Sequence, residues 1–143
     1  MKNILSTKVL ILFPLLLSTL LLSGQGEETA GYESLDPYYF HLRYITDSGS
    51  VMLDVREFFE YRRSRIKDAI NIPTSGGMDA VTDTLGKDTP VFLYCYNDYR
   101  SRKAAEIFAG KGFKKVYSLE GGIVFWRKEK MPVEKARVKR SRK

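Results

Sequence analysis

The residues best suited to chemistry in this chain are Cys95, its only cysteine, and Arg100, five positions later. The cysteine directly follows the apolar run Val91–Tyr94, which is typical of a buried strand, and the arginine precedes a helix-forming segment at 101–111. Backbone N–H groups at such a strand-to-helix junction have no backbone acceptors, so they can stabilise an anion. A cysteine held there as a thiolate is a nucleophile.

A buried structural cysteine is the alternative interpretation of a lone Cys95. The residues that follow it are polar or charged: Tyr96, Asn97, Asp98, Tyr99 and Arg100. We take this polar loop to argue against burial, and we expect a thiol that is not enclosed by the core.

The elements that must position this loop alternate along the chain. Apolar segments at 51–53, 91–94 and 116–119 are typical of strands, a further short strand is expected at 66–72, and helical patterns lie between them. An additional helix is predicted to begin at Asp36-Pro37, where a capping residue is followed by proline at the first helical position. Such alternation predicts an α/β fold with a mostly parallel sheet of four or five strands and helices on both faces. Ligands of such sheets bind at the carboxyl ends of the strands, so Asp54 and Cys95 should lie close together at the same edge of the sheet.

The chain of 143 residues is long enough for one domain. Residues 1–26 resemble a secretory signal peptide, because two lysines precede a 14-residue apolar run that is too short to span a bilayer. We therefore predict export, in a bacterium to the periplasm, with an uncleaved membrane anchor as the alternative. Residues 27–31 are predicted to be a linker, 32–132 the folded domain and 133–143 a basic, disordered tail.

Most of the formal net charge of +7 lies outside the predicted domain. The last ten residues hold six basic side chains and one acidic one. Such a tail is solvated, or makes a weak contact with an anionic membrane surface. Export makes nucleic acid an improbable partner. It also makes the single thiol notable, since one cysteine cannot form an internal disulfide.

Four blocks of sequence, in order, resemble the single-domain rhodaneses. They are L-D-V-R-E at 53–57, A-I-N-I-P at 69–73, Y-C-x-x-x-x-R-S at 94–101 and G-F-x-x-V-Y-x-L-x-G-G-I-x-x-W at 112–126. Each block is weak alone, but the four together cover nearly all of the predicted domain. The resemblance implies a rhodanese fold and a sulfurtransferase that carries sulfane sulfur on Cys95 as a persulfide.

The resemblance also implies the partners and the site. The donor would be a small sulfur-containing anion such as thiosulfate, or a persulfide, and the acceptor a thiol or cyanide; neither a metal nor another cofactor is implied. Arg100 would close the loop and hold the thiolate or an anionic donor, unless it is occupied by a carboxylate. Asp54 and Arg56 would brace the loop from outside. The remaining substrate-binding residues would be Tyr96, Asn97, Asp98, Tyr99 and Ser101, with Trp126 and the Gly121-Gly122 turn packed beside the pocket.

Asp98 stands where the family usually has a glycine. Glycine at this position permits a positive φ, which aspartate also adopts more readily than most residues. The aspartate carboxylate would repel an anionic donor by about 1–4 kcal/mol at close range. We therefore expect Asp98→Gly to raise activity with thiosulfate.

Two other functions compete with sulfur transfer. A cysteine-dependent phosphatase needs five residues between cysteine and arginine to surround a phosphoryl group, whereas Cys95 and Arg100 are separated by four. A non-catalytic binding module, or a sensor of redox state or sulfide, remains open because of Asp98 and the predicted oxidising compartment. The cysteine itself favours catalysis.

Overall fold

A computed structural model describes residues 28–29, 31–74 and 76–135. The predicted signal peptide and most of the basic tail lie outside these residues. No helix within the described part of the chain is both long and apolar enough to span a membrane.

Five helices and eight strands follow one another within the described residues. The helices are α1 (Pro37–Thr46), α2 (Phe58–Arg63), α3 (Met78–Thr84), α4 (Tyr99–Gly110) and α5 (Gly122–Lys128). The strands are β1 (Glu28–Thr29), β2 (Tyr32–Leu35), β3 (Val51–Asp54), β4 (Arg65–Ile66), β5 (Ile70–Asn71), β6 (Val91–Tyr94), β7 (Val116–Leu119) and β8 (Val133–Glu134).

The main sheet has the strand order β1-β2-β7-β6-β3-β5. The five strands from β2 to β5 in this order pair in parallel, and β1 adds an antiparallel edge. The predicted, mostly parallel sheet is thus confirmed. Strand β6 lies between β7 and β3, so the residue that follows it emerges at the middle of the sheet rather than at an edge.

Two hydrophobic cores cover the two faces of the sheet. The first joins alternate residues of β3 and β6 to α4, with residues of α3 packed against it. The second joins the intervening residues of the same strands to Phe40 of α1 and Trp126 of α5. Helices on both faces were expected, because strands that are apolar at every position must be buried from both sides.

Local sequence signals explain how α1 begins. The Asp36 carboxylate accepts hydrogen bonds from the backbone N–H groups of Tyr38 and Tyr39 at 2.8 and 3.0 Å. Pro37 occupies the first helical position, where its missing N–H is not needed. The predicted start of this helix is confirmed.

Three short segments differ from the sequence predictions. The expected strand at 66–72 is two separate strands: β5 belongs to the main sheet, whereas β4 pairs antiparallel with β8. Strand β8 uses Val133 and Glu134, which we had assigned to the tail, and β1 uses Glu28 and Thr29, which we had assigned to a linker. Two-residue strands carry no periodic pattern, and only the tertiary fold gives them partners.

Candidate active site

Cys95 lies directly after β6, at the carboxyl edge of the sheet, and it has no exposed surface. Its side chain belongs to the core beneath α4, together with Leu93, Ala104 and Ala105. The expectation that the polar loop keeps this cysteine out of the core is therefore wrong. The alternation of β6 continues by one residue beyond the strand, and the small alanines let α4 pack closely over the sulfur.

The backbone of the cysteine loop is held from one side by the start of α5. The N–H of Ile123 donates to the carbonyl of Cys95 at 2.9 Å, and the N–H of Val124 donates to the carbonyl of Tyr96 at 3.2 Å. Within the described residues, the N–H groups from Tyr96 to Arg100 have no hydrogen-bond acceptor. The carbonyls of Cys95 and Tyr96 are thus bound by α5, whereas the amide N–H groups of the loop remain available to an anion.

Gly122 allows this close approach of α5 to the loop. A Cβ atom at this position would lie 2.6 Å from the carbonyl oxygen of Cys95 and 2.6 Å from the carbonyl carbon of Tyr96. Its φ is +58°, which also favours glycine. The Gly121-Gly122 turn, which we predicted to pack beside the pocket, is therefore in direct contact with the loop backbone.

Asp98 adopts the left-handed conformation that the loop requires, with φ of 76°. Its carboxylate is turned to the neighbouring turn, where Oδ2 accepts a hydrogen bond from the N–H of Gly121 at 3.1 Å. Aspartate at this position thus does not prevent the loop from closing, and its hydrogen bond is the third between the loop and the start of α5.

Arg100 closes the loop through an ion pair with Glu60 of α2. Its guanidinium donates from Nη1 to Oε2 at 2.9 Å and from Nη2 to Oε1 at 3.0 Å. The hydrogen bond to Glu60 is the main cause that raises the pKa of Arg100, and interactions with Cys95 act in the same direction. The two hydrogen bonds to Glu60 therefore fix the guanidinium of Arg100 between α2 and the end of the cysteine loop.

This ion pair predicts a pH dependence of stability. The hydrogen bond from Arg100 holds the pKa of Glu60 below its ordinary value of 4.5. The pair therefore contributes stability above about pH 4.5, and this contribution is lost as the pH falls through the lower pKa of the folded state. Urea unfolding of the Glu60→Gln variant should show a loss of stability at pH 7 that becomes progressively smaller as the pH falls below 4.5. A loss that is constant over this range would contradict the assignment.

Asp54 and Arg56 form a second ion pair, which is fully enclosed. Arg56 donates from Nε to Oδ1 at 2.9 Å and from Nη2 to Oδ2 at 2.5 Å, and its Nη2 also donates to the carbonyl of Ser64 at 2.7 Å. Asp54 and Arg56 are 0% and 3% exposed. Burial is the largest single influence on the pKa of Arg56 and lowers it, but the hydrogen bonds to Asp54, the charge of Asp54 and the nearby Tyr94 together outweigh burial, so the pKa is raised.

The Asp54–Arg56 ion pair lies on the face of the sheet opposite to the sulfur of Cys95. Asp54 is in register with Tyr94, so its side chain points to the face of the sheet opposite to Cys95. Asp54 and Cys95 do lie at the same edge of the sheet, as we predicted, but on opposite faces. The Asp54–Arg56 pair therefore fixes the ends of β3 and α2 and does not touch the reacting atom.

The other predicted site residues divide into exposed and enclosed ones. Tyr96, Asn97 and Tyr99 are exposed at the mouth of the loop. Ser101 is buried, and its hydroxyl donates to the carbonyl of Asp98 at 3.0 Å. Trp126, expected beside the pocket, lies in the core on the other face of the sheet.

Sequence reasoning missed Glu60. The only local signal is its position three residues after Glu57, whose N–H donates to Glu60 Oε2 at 3.2 Å, as in a capping box. Nothing in the sequence indicates that it reaches Arg100, forty residues further along the chain.

The site is thus defined by a thiol at the carboxyl edge of a parallel sheet, followed by a loop whose N–H groups have no acceptor among the described residues and which ends at an arginine, and the class of protein is an α/β fold built around such a cysteine loop. Residues 41–129 match the family model of the rhodanese-like domain. The chain is also 30% identical over 92 residues to the thiosulfate sulfurtransferase GlpE of Actinobacillus pleuropneumoniae, covering 64% of this chain and 84% of that protein. The corresponding protein of Actinobacillus succinogenes is 34% identical, with coverages of 64% and 82%.

Solved structures agree with this assignment. A protein of Bacillus halodurans superposes with a TM-score of 0.63 at 32% identity, covering 74% of this chain and 78% of that one. A rhodanese-related protein of Thermoplasma volcanium has a TM-score of 0.59 at 28% identity, with coverages of 72% and 98%. The chain belongs to the rhodanese-like family.

Proposed function

We propose that this protein is a sulfurtransferase that carries one sulfane sulfur on Cys95 as a persulfide. The observation that supports the proposal most directly is the loop from Tyr96 to Arg100, which follows Cys95 and whose amide N–H groups have no acceptor among the described residues. These N–H groups would be available to a sulfur bound to Cys95. The relatives named thiosulfate sulfurtransferase point to the same chemistry.

The reaction would have two steps. In the first, the Cys95 thiolate attacks the outer sulfur of a donor such as thiosulfate; a new S–S bond forms, the S–S bond of thiosulfate breaks, and sulfite leaves with the electron pair. In the second, an acceptor such as cyanide or a thiolate attacks the outer sulfur of the persulfide, and the Cys95 thiolate is the leaving group. This is covalent catalysis by displacement, and it needs no net oxidant.

The loop would stabilise the anion that each step produces. The persulfide carries its negative charge on the outer sulfur, and amide donors that the folded loop already holds in place would need little reorganisation to stabilise it. Arg100 would add a full positive charge, and Glu60 would keep its guanidinium in place through two parallel hydrogen bonds. Because Cys95 is fully buried, the loop or its side chains must shift to admit a donor.

Sulfur loading of the purified protein tests the proposal. We expect that incubation with thiosulfate, or with a low-molecular-weight persulfide, adds the mass of one sulfur atom to the protein, and that cyanide removes it as thiocyanate. Cys95→Ser is the matched control, since it changes one atom, and it should neither load nor turn over. Failure of both donors to load the wild type, or turnover by the serine variant, would overturn the proposal.

The full burial of Cys95 favours a second candidate, a non-catalytic rhodanese-like module that binds a partner or senses redox state. An enclosed thiol reacts slowly unless the loop opens. The same loading experiment separates the two functions. Loading within minutes by either donor supports catalysis, and an unreactive thiol in the folded protein supports the module.

The carboxylate of Asp98 sets an expected preference among donors. Asparagine keeps an acceptor for the N–H of Gly121 and tolerates the positive φ, but it removes the negative charge. We expect Asp98→Asn to raise the rate of loading by thiosulfate about threefold to tenfold at low salt, because about 1 kcal/mol of repulsion is removed. Asp98→Gly removes the same charge, so it should also raise the rate over wild type, but by less than Asp98→Asn because it loses the hydrogen bond to Gly121. Stopped-flow loading rates that do not differ from wild type would show that the charge does not act on the donor.

A further inference from the structure

Three exposed aromatic rings stand around the mouth of the cysteine loop, and each has a cation over its face. Arg62 lies over Phe58 at 5.7 Å, Lys103 over Tyr99 at 4.5 Å and Lys128 over Phe125 at 5.5 Å. The rings are 59%, 62% and 44% exposed. We call these six residues the rim.

Contacts with the loop place each pair at its border. The pair of α2 is next to Glu60, which binds Arg100. Tyr99 belongs to the loop end itself, directly before Arg100. The ring of Phe125 lies against Gly121, whose N–H binds the carboxylate of Asp98. Three different helices thus contribute the same kind of pair to one opening.

The net charge of this region is positive, although Glu57, Glu120 and Glu129 lie directly beside the segments that form it. Helix α2, residues 95–103 and helix α5 carry seven basic residues and two acidic ones. Glu60 is one of the two acids, and it is neutralised by Arg100. Exposed aromatic rings backed by cations favour a partner that offers carboxylates beside apolar groups.

A protein fits this opening better than a lipid surface does. Cys95 is fully buried below the rim, so a reacting sulfur must enter the loop to reach it. A flat bilayer would cover the opening and exclude the donor and the acceptor. A cysteine on a protruding segment of a protein can enter the loop, while the acidic residues beside that cysteine contact Arg62, Lys103 and Lys128.

We propose that the rim binds an acidic segment of a protein whose cysteine exchanges sulfur with Cys95. This proposal rests on the proposed sulfurtransferase function and names its partner class. In the transfer to such a partner, its thiolate attacks the outer sulfur of the Cys95 persulfide, one S–S bond forms as another breaks, and Cys95 leaves as a thiolate.

Two synthetic peptides of equal length test the proposal, each with one cysteine, flanked by glutamates in one and by lysines in the other. With protein loaded by thiosulfate, we expect sulfur transfer to the glutamate peptide to be at least about tenfold faster at low salt, and the difference to shrink as salt increases. The variant R62Q/K103Q/K128Q should lose this preference, whereas its transfer to dithiothreitol, a small uncharged thiol, should stay unchanged.

The variant K87Q/K114Q/K115Q is the matched control. It removes the same net charge from exposed residues at the opposite, amino end of β6 and β7, and it should keep the preference. Equal rates with both peptides, or a preference that survives the rim variant, would overturn the proposal. Equal rates combined with rim-dependent binding to phosphatidylserine vesicles would assign the rim to a membrane instead.

A binding measurement separates this proposal from the proposed function. The glutamate peptide with serine in place of its cysteine should bind unloaded wild-type protein more tightly than the rim variant, as measured by fluorescence anisotropy. Binding of this kind in a protein that does not load with sulfur would refute catalysis but retain the docking surface. Loading with sulfur in the absence of rim-dependent binding would support catalysis and refute the docking surface.

Discussion

Asp54→Asn is expected to lower the free energy of unfolding by about 3–5 kcal/mol, because it leaves the charge of Arg56 buried without a partner. The substitution keeps the shape of the side chain, so little of the effect comes from lost packing. Arg56 is only 3% exposed, and its remaining side-chain acceptor is the carbonyl of Ser64. Urea denaturation of the wild type and the variant measures this difference in the free energy of unfolding, with the m-value expected to be the same for both.

An exposed ion pair supplies the matched control for Asp54→Asn. Glu33 and Arg43 approach to 3.9 Å with side chains that are 38% and 47% exposed. Glu33→Gln makes the same chemical change there and should cost less than about 1 kcal/mol. The double variant Asp54→Asn/Arg56→Met should be more stable than Asp54→Asn alone, since no buried charge is left unpaired. Equal losses for Asp54→Asn and Glu33→Gln would contradict the assignment.

Gly122→Ala is expected to reduce sulfur loading about a hundredfold, because it displaces the backbone that carries Cys95. The new Cβ would lie 2.6 Å from the carbonyl oxygens of Cys95 and Tyr96, and no flexible side chain can give way. Relief of the clash must break the hydrogen bonds from Ile123 and Val124 that orient the loop. Single-turnover loading by thiosulfate measures the effect on the chemical step.

Gly49→Ala is the control for the backbone strain that any side chain meets at a positive φ. Gly49 has φ of +73°, and nothing lies within 4 Å of the Cβ position. This variant should lose about 1 kcal/mol of stability and keep its loading rate. If the two alanine variants load sulfur equally fast, the contact between α5 and the cysteine loop does not control the site.

The features that sequence predicted correctly depend on residues close together in the chain. Asp36 and Pro37 begin α1 because a carboxylate two residues ahead caps free N–H groups. Asp98 closes its turn because aspartate tolerates a positive φ. The run Val91–Tyr94 forms β6 because an apolar segment of this length is stable only when both faces are covered.

The features that sequence did not predict depend on contacts between distant segments. Glu60 and Arg100 meet across forty residues, and β4 finds its partner in β8 near the end of the described chain. The polar composition of the loop suggested an open thiol, yet the sulfur is enclosed, because burial is decided by what packs above it. Alanines on α4 do that packing, and their role is visible only once α4 lies on the sheet.

Local sequence therefore accounts for the reactive groups of this protein: one thiol, an arginine five residues later, and a strand and a helix that bring them to the edge of a parallel sheet. How the thiol is presented depends on contacts between distant segments. The register of β3 against β6 places Asp54 and Cys95 on opposite faces of the sheet, and the start of α5 binds the carbonyls of Cys95 and Tyr96. Both follow from the packing of elements against one another, which no local pattern encodes.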